Sequence, residues 1–308
     1  MKTKIAIAGL GGVGGYYAGL LAHRYAGVDD VEVYFYVRGE HGIAIRTSGL
    51  KVVTDTSVVI GHPTMASDNA SEMGVMDYII IATKSYDLES IVEGIQSMIG
   101  PKTILLPLLN GVDNTTRIEK LLPQNEVWSG CSYIVARRTE PGVITTSGKL
   151  HLLNFGYQNK VKDNLMFFEK LLVDAGIDGR FCEDIHNEIW KKFCFISVTA
   201  SLTCYFNVGF AELLDIPSYK EMFVNLIEEL VQVARAEGAN QDLTMIDKAF
   251  QRIGSIPRGQ TTSMHSDMQV GRKMELYTLT GVVVDLAHKH HIKVPNYEKV
   301  YEALCKYI

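Results

Sequence analysis

Cysteine is scarce and badly placed for structure. The five residues Cys131, Cys182, Cys194, Cys204 and Cys305, among 308, are odd in number and scattered. They point to neither a disulfide framework nor a Cys-x-x-Cys metal pair, and a reducing cytoplasm is the compartment this usage leads one to expect. No stretch approaches the roughly 18 consecutive apolar residues of a membrane helix. There is no basic block, and the net charge is −5, so nucleic acid is not an expected partner. The basic start Met1-Lys2-Thr3-Lys4 precedes apolar residues, but five glycines lie between Gly9 and Gly15 and no clean apolar core or cleavage site follows; this argues against a signal peptide. No G-x-S-x-G is present. Ser263, His265 and Asp267 crowd one short stretch, unlike a catalytic triad assembled from separate elements. The remaining composition, 47% apolar and 21% charged, is that of a soluble globular protein long enough for two domains.

Glycine at the start is what the chain does have. Lys4-Ile5-Ala6-Ile7-Ala8 reads as a short apolar strand that runs directly into Gly9-Leu10-Gly11-Gly12-Val13-Gly14, a G-x-G-x-x-G. Val13, Tyr16, Tyr17, Leu20 and Leu21 then recur at helical spacing. Strand, glycine turn and helix in that order suit a dinucleotide. The first Gly allows the tight turn, the second lets a pyrophosphate approach the backbone, and the third lets helix and strand pack closely, with the phosphates on the helix N-terminus. The competing reading is a glycine-rich turn in an ordinary α/β protein.

The first half alternates. Val31–Val37 reads as a second strand, Leu50–Val53 and Ser57–Ile60 as a short hairpin, and Tyr78–Ala82 and Thr103–Leu106 as strands buried on both faces, with a helix at Ser90–Met98 between them. Such alternation predicts a doubly wound parallel sheet. Val127–Val135, Gly142–Thr146 and Leu150–Phe155 read as antiparallel strands, Asn164–Ala175 as a helix and Gly179–Cys182 as an edge strand. From about Asp184 the texture becomes helical. Met222, Leu226, Leu230 and Val233 follow Pro217, which suits a first helical turn. Leu243, Ile246, Phe250 and Ile253 follow Asp242, a candidate N-cap. Leu276, Leu279, Val283 and Leu286, and finally Val300, Tyr301 and Leu304, complete the pattern. The expected organisation is a dinucleotide-binding domain over 1–183 and an all-α domain over 184–308, with substrate in the crevice between them. The apolar faces of the helical half can support a homodimer, though nothing in the sequence requires one.

Ligands of open α/β sheets lie beyond the carboxyl ends of the strands. Arg38 follows the second strand, where an NAD-specific protein usually carries an acid; a guanidinium suits a 2′-phosphate, so NADPH is the expected cofactor, with Glu40 keeping NAD open. Lys84 and Asn110-Gly111 follow the next two strands. Each alone is an ordinary loop residue; their common edge suggests cofactor or substrate contact.

At this point the whole chain resembles the ketopantoate reductase family (2-dehydropantoate 2-reductases). The resemblance rests on the glycine motif, Arg38, Thr83-Lys84, Asn110-Gly111, Trp190-Lys191-Lys192, Leu202-Thr203, Ser263-Met264, Glu275 and Ile292-Lys293-Val294-Pro295, in that order and spacing. It implies a Rossmann domain that binds NADPH, a helical domain, and reduction of ketopantoate to pantoate in pantothenate and coenzyme A biosynthesis. By position it makes Lys192 catalytic, Lys84 and Asn110 contacts of cofactor and substrate, and Ser263 and Glu275 substrate-binding residues. The chemistry is sensible: negative charge builds on a carbonyl oxygen, and a lysine ammonium can stabilise it and deliver the proton. Lys191 competes, but neighbours on a helix point about 100° apart, so only one should face the site.

One departure stands out. The family commonly carries asparagines four and eight residues after its lysine; here those positions are Ile196 and Ala200, and a third is Phe210. Ser197, Thr199, Ser201 and Asn207 lie near but off that face. A related, bulkier or more apolar 2-keto acid is therefore an alternative substrate, and a catalytically silent NADPH-binding sensor a further one. His288, His290 and His291 sit at a helix end, where a cation favours the dipole, and no metal is expected. Glu228-Glu229 reads as a solvated helix face.

Overall fold

A computed structural model describes residues 2–158 and 160–307. They fall into two compact units. One runs to Leu109 and again from Asp113 to Ile185; the other takes Asn110–Val112 and the chain from His186 onward.

The first unit contains a six-stranded sheet. β1 (Thr3–Ala8) lies between β2 (Val31–Tyr36) and β6 (Tyr78–Ile81); β5 (Met65–Ser67) extends one side, β7 (Ile104–Pro107) and β8 (Glu126–Val127) the other. Every pairing in it is parallel. The order β5-β2-β1-β6-β7-β8 reverses at β1, as in the Rossmann dinucleotide fold. Side chains alternate to two cores: Ile5, Ile7 and Ile80 enter one, Ala6, Ala8 and Ile79 the other. Burial on both faces is why these strands read as unbroken apolar runs.

α1 (Gly12–Tyr25) follows β1 and is buried on nearly every side. A Cβ on Gly19 would stand 2.3 Å from the Val52 side chain, so α1 packs a small-residue face onto a second sheet. That sheet orders β11 (Asp178–Phe181), β10 (Val143–Gly156), β3 (Leu50–Val53) and β4 (Val58–Gly61), with β9 (Ser129–Glu140) also on β10. The hairpin β3–β4 is antiparallel as expected. The strands expected at Gly142–Thr146 and Leu150–Phe155 are instead one strand, irregular between Ser147 and Leu152, and only its pairing with β9 is antiparallel; β3 and β11 join it in parallel. α2 (Gly39–Ser48), α3 (Leu88–Gly94), α4 (Asn114–Leu121) and α5 (Asp163–Asp174) complete the unit. The helix expected over Ser90–Met98 breaks at Ile95, after Gly94, and resumes as a 3-10 turn.

The helical unit is built on α6 (Ile185–Phe206), whose Trp190 and Phe193 are buried edge to face, with centroids 5.6 Å apart. α7 (Glu212–Asp215), α8 (Pro217–Ala236), α9 (Thr244–Gly254), α10 (Ser263–Gln269), α11 (Val282–Lys289) and α12 (Pro295–Cys305) follow. Pro217 opens α8 as the sequence predicts. Asp242 accepts the Thr244 N–H at 2.9 Å, although Leu243 is the residue in the cap position of α9. Two features differ from expectation. The stretch read as one helix from Leu276 begins with a π-helical turn, Tyr277–Gly281. Glu229 is not solvated: it is buried, and its carboxylate accepts the backbone N–H groups of Asn296 and Tyr297, each at 3.0 Å, capping α12. No helix among the described residues is long and apolar enough to cross a membrane.

Candidate active site

The glycine loop is shaped by three distinct constraints. Gly9 sits at φ +95°, a left-handed conformation that disfavours any side chain, and a Cβ there would meet Thr83 at 2.6 Å. A Cβ on Gly14 would lie 2.0 Å from the Gly9 carbonyl oxygen, so only glycine lets α1 close on β1. Gly11 is different: a Cβ would meet no atom within 4 Å. Its surroundings are open, and it precedes α1 with no side chain capping the helix and no acid in the first turn. An uncapped helix N-terminus beside open space receives an anion through its N–H groups and dipole. Leu10 is buried and Val13 partly buried in the core beneath, so these two residues have only backbone to offer a ligand, as has Gly12, whose Cβ would strike the Ala136 carbonyl at 2.0 Å.

Two side chains beside the loop were given no role by the sequence: Thr83 entered only as part of the family pattern Thr83-Lys84, and His41 not at all. The Thr83 hydroxyl and the His41 Nε2 are buried, without a hydrogen-bond partner among the described residues. His41 Nδ1 accepts the Gly142 N–H at 2.8 Å. Burial pushes its pKa down, and the Arg138 guanidinium adds to this. His41 belongs to no recognisable pattern, whereas Thr83 was signalled by the Thr83-Lys84 pair at a strand end, without its part beside the loop.

Arg38 stands two residues beyond the end of β2, is exposed, and has no carboxylate within ion-pair distance among the described residues; Glu40 is exposed two residues on. Lys84 follows β6, half-buried, before a 3-10 turn at Ser85–Asp87. Glycine loop, Arg38 and Lys84 thus share the carboxyl edge of one parallel sheet. Open space at Gly11, bare N–H groups and the orphaned Thr83 hydroxyl fit a dinucleotide.

A second cluster lies in the helical unit. Gly111, at φ +110°, turns the chain so that Asn110 belongs with the helices rather than with the sheet it follows. Lys192 Nζ donates to Asn110 Oδ1 at 3.1 Å, and Asn110 Nδ2 donates to Glu275 Oε2 at 3.4 Å. One amide so bridges a cation and a buried carboxylate, oxygen toward the positive group and nitrogen toward the negative. Lys191 is exposed and paired with Glu188 at 3.2 Å, on another side of α6. Ser263 is the first residue of α10 and exposed; the cap is made by Thr262, which accepts the His265 N–H at 3.2 Å, leaving the Ser263 hydroxyl without a hydrogen bond among the described residues. The structure therefore joins Lys192, Asn110 and Glu275, and leaves Ser263 outside that bonded set.

Ile196 is half-buried and Ala200 buried. Phe210 stacks on Phe195, centroids 6.4 Å apart. The nearby polar groups are committed elsewhere: Ser201 Oγ to Thr280 Oγ1 at 2.8 Å, Thr199 to the Phe195 carbonyl at 2.7 Å, Asn207 Oδ1 to His265 Nε2 at 2.8 Å. His288 pairs with Glu298 and His290 with Glu237. Among the described residues no group of three His, Cys, Asp or Glu side chains is arranged to hold a metal.

Comparison with known proteins agrees with this fold. Residues 5–160 match the family model described as ketopantoate reductase PanE/ApbA, and residues 184–307 its C-terminal counterpart. An uncharacterised oxidoreductase of Bacillus subtilis (strain 168), YkpB, is 27% identical over 99% of this chain and 98% of its own. The crystal structure of 2-dehydropantoate 2-reductase from Porphyromonas gingivalis W83 is 38% identical, with TM-score 0.86, over 99% of this chain and 100% of its own. A ternary structure of D-mandelate dehydrogenase with NADH and anilino(oxo)acetate is 25% identical, with TM-score 0.86, over 99% and 98%. The Rossmann sheet, the glycine loop and the helical unit thus have a single explanation: the chain is an oxidoreductase belonging to the ketopantoate reductase family.

Proposed function

We propose that this protein reduces 2-dehydropantoate to pantoate with NADPH, a step of pantothenate biosynthesis. The observation that carries the reading is the Lys192–Asn110–Glu275 arrangement, an ammonium held by an amide that is itself held by a buried carboxylate. The cofactor would lie on the open backbone at Gly11 and the N-terminus of α1, with Arg38 on its 2′-phosphate and Lys84 near by; bound there, it supplies the hydride that the keto carbon accepts. The exposed guanidinium after β2 supports NADPH over NADH.

The chain's own part is electrostatic and acidic. Lys192 places an ammonium at the keto oxygen, stabilises the charge that develops there and gives it a proton. Asn110 takes one of the three ammonium donors, which limits the directions in which the others point. Glu275 accepts from a substrate hydroxyl, and Ser263 donates to the substrate carboxylate. Lys84 and Asn110 extend the polar contacts to substrate and cofactor.

A second reading keeps the reaction and changes the acid. Ile196 stands four residues after Lys192, on the same face of α6, where an amide would read a polar substrate group. An apolar surface there favours a bulkier 2-keto acid, and the D-mandelate dehydrogenase likeness adds weight to an aryl one. The test is NADPH oxidation followed by absorbance with ketopantoate, pyruvate, 2-ketoisovalerate and benzoylformate, with NADH as the control cofactor. Turnover highest on ketopantoate with NADPH is the expected result. Turnover on benzoylformate alone replaces it with the second reading, and silence on all four acids refutes both.

A further inference from the structure

Lys192 and Glu275 reach Asn110 from different elements, so something must hold those elements in register. α6 carries Lys192. Five residues later, about 140° around the helix, Ser197 points into the core, fully buried. Its hydroxyl donates to the Leu279 carbonyl at 2.5 Å and lies 2.8 Å from the Tyr297 hydroxyl. A serine has one proton. The carbonyl can only accept, so the proton goes to Leu279 and Tyr297 donates to Ser197. Burial raises the Tyr297 pKa well above its ordinary value, which keeps that phenol a donor. Tyr297 is anchored in turn by the buried Glu229 carboxylate on its backbone N–H.

Leu279 lies inside the π-helical turn Tyr277–Gly281. Its N–H donates to the Glu275 carbonyl at 3.0 Å. One peptide unit away, its carbonyl is the group Ser197 holds. One turn further along α6, Ser201 bonds Thr280 at 2.8 Å. Two successive residues of the π-turn are therefore pinned to α6 at positions i and i+4. The turn closes on Gly281, where a Cβ would stand 2.7 Å from the Tyr301 ring. Single π-turns within helices recur at functional sites. Here the turn begins two residues after Glu275.

We propose that Ser197 is a positioning residue: by holding the Leu279 carbonyl it fixes the π-turn behind Glu275 and keeps the Glu275 carboxylate in register with Asn110 and Lys192. The inference rests on the assignment of those three residues to the keto acid. The missing asparagines at 196 and 200 are thus accompanied by buried serines at 197 and 201 that set the frame of the site instead of touching substrate.

The test compares Ser197→Ala with Tyr297→Phe. Both remove the Ser197–Tyr297 hydrogen bond, but only the first frees the Leu279 carbonyl. Expected for Ser197→Ala is a fall in kcat/KM for the best 2-keto acid of about tenfold, the scale of one buried hydrogen bond, with NADPH affinity unchanged. Tyr297→Phe should stay within about twofold. Two readouts need no substrate: amide exchange across Tyr277–Gly281 should quicken in Ser197→Ala alone, and the 3.4 Å separation between Asn110 and Glu275 should lengthen in its crystals. If the wild-type protein reduces no keto acid, the assignment of the site fails while these two readouts still decide the positioning role. Equal losses in both variants, or unchanged exchange at Leu279, overturn it. Should Ser197→Ala not fold, Ser197→Cys, whose thiol is a weak donor to the Leu279 carbonyl, should quicken the same amides to a lesser degree; no change there overturns the proposal too.

Discussion

Gly11→Ala separates the cofactor site from the fold. A methyl at Gly11 meets no atom within 4 Å, and the residue sits at φ −70° and ψ −159°, where alanine is unstrained. The only structural loss is at the helix cap, where alanine is poorer than glycine by about 0.5–1 kcal/mol. For a chain of this size that lowers Tm by roughly 2–4 °C at most. The effect on a dinucleotide should be far larger. The added carbon fills the space through which a pyrophosphate reaches the N–H groups of α1, and each charge-assisted hydrogen bond lost is worth about 1.5–3 kcal/mol. NADPH affinity should therefore fall by about tenfold to a hundredfold or more for each such bond. Gly14→Ala is the contrast: its Cβ would lie 2.0 Å from the Gly9 carbonyl oxygen, so that variant should lose the fold of the loop along with binding. Fluorescence titration with NADPH and thermal melting, run on both variants, make the comparison. A Gly11→Ala protein that binds NADPH within twofold of wild type refutes the placement. So does one that melts as early as Gly14→Ala.

Lys192→Ala should lower kcat about a thousandfold, the scale of losing a charge-stabilising acid, while NADPH titrates normally; retained turnover removes Lys192 from the chemistry. Arg38→Glu should shift the NADPH-to-NADH ratio of kcat/KM toward NADH by roughly tenfold to a hundredfold, and an unchanged ratio means the guanidinium reads no phosphate. His41 titrates near 6.5 when unfolded and lower when buried. Below that pH the unfolded chain binds the extra proton, so its contribution to stability is complete above about 6.5 and is lost as pH falls toward the folded value. Urea unfolding at pH 7.5 and 5.5 should show a smaller acid loss in His41→Gln than in wild type; equal losses remove His41 from the acid response.

What the sequence disclosed is mostly what acts locally. Strand, glycine turn and helix are consecutive, so the motif could be read where it stands, and Pro217 announced its helix by the same logic. What it hid acts across the chain. Glu229 looked like half of a solvated acidic pair because the N–H groups it caps belong to Asn296 and Tyr297, 67 and 68 residues on. Asn110 was legible as a strand-end residue, but its membership of the helical unit depends on Gly111 at φ +110°, which one letter does not reveal. The π-turn was invisible because Leu276, Leu279 and Val283 keep an ordinary helical spacing through it. Lys191 and Lys192 were indistinguishable by type; the family pattern chose Lys192 by position, and the structure gives them different partners, Glu188 for the first and Asn110 for the second.

If the keto acid sits at Lys192 as proposed, its side chain meets α6, whose polarity is arranged inside out relative to an amide-lined site. Its hydroxyls at 197, 201 and 203 are buried and bonded to Leu279, Thr280 and Thr262, so none can rotate to replace an amide without breaking a contact elsewhere. Ala200 is only 3% exposed, which leaves Ile196, beside Lys192, as the apolar side chain of that face able to meet a ligand. An apolar contact rewards apolar surface at about 0.8 kcal/mol per buried CH2, close to fourfold in kcat/KM. A polar group that loses its partner there costs about 1–3 kcal/mol. Along pyruvate, 2-ketobutyrate, 2-ketovalerate and 2-ketoisocaproate, kcat/KM should therefore climb by up to about fourfold per carbon until the space is filled. Ile196→Asn should flatten that climb and improve ketopantoate relative to the longest acid. A series that is flat in the wild-type protein, or one that Ile196→Asn leaves unchanged, would show that α6 does not read the substrate side chain.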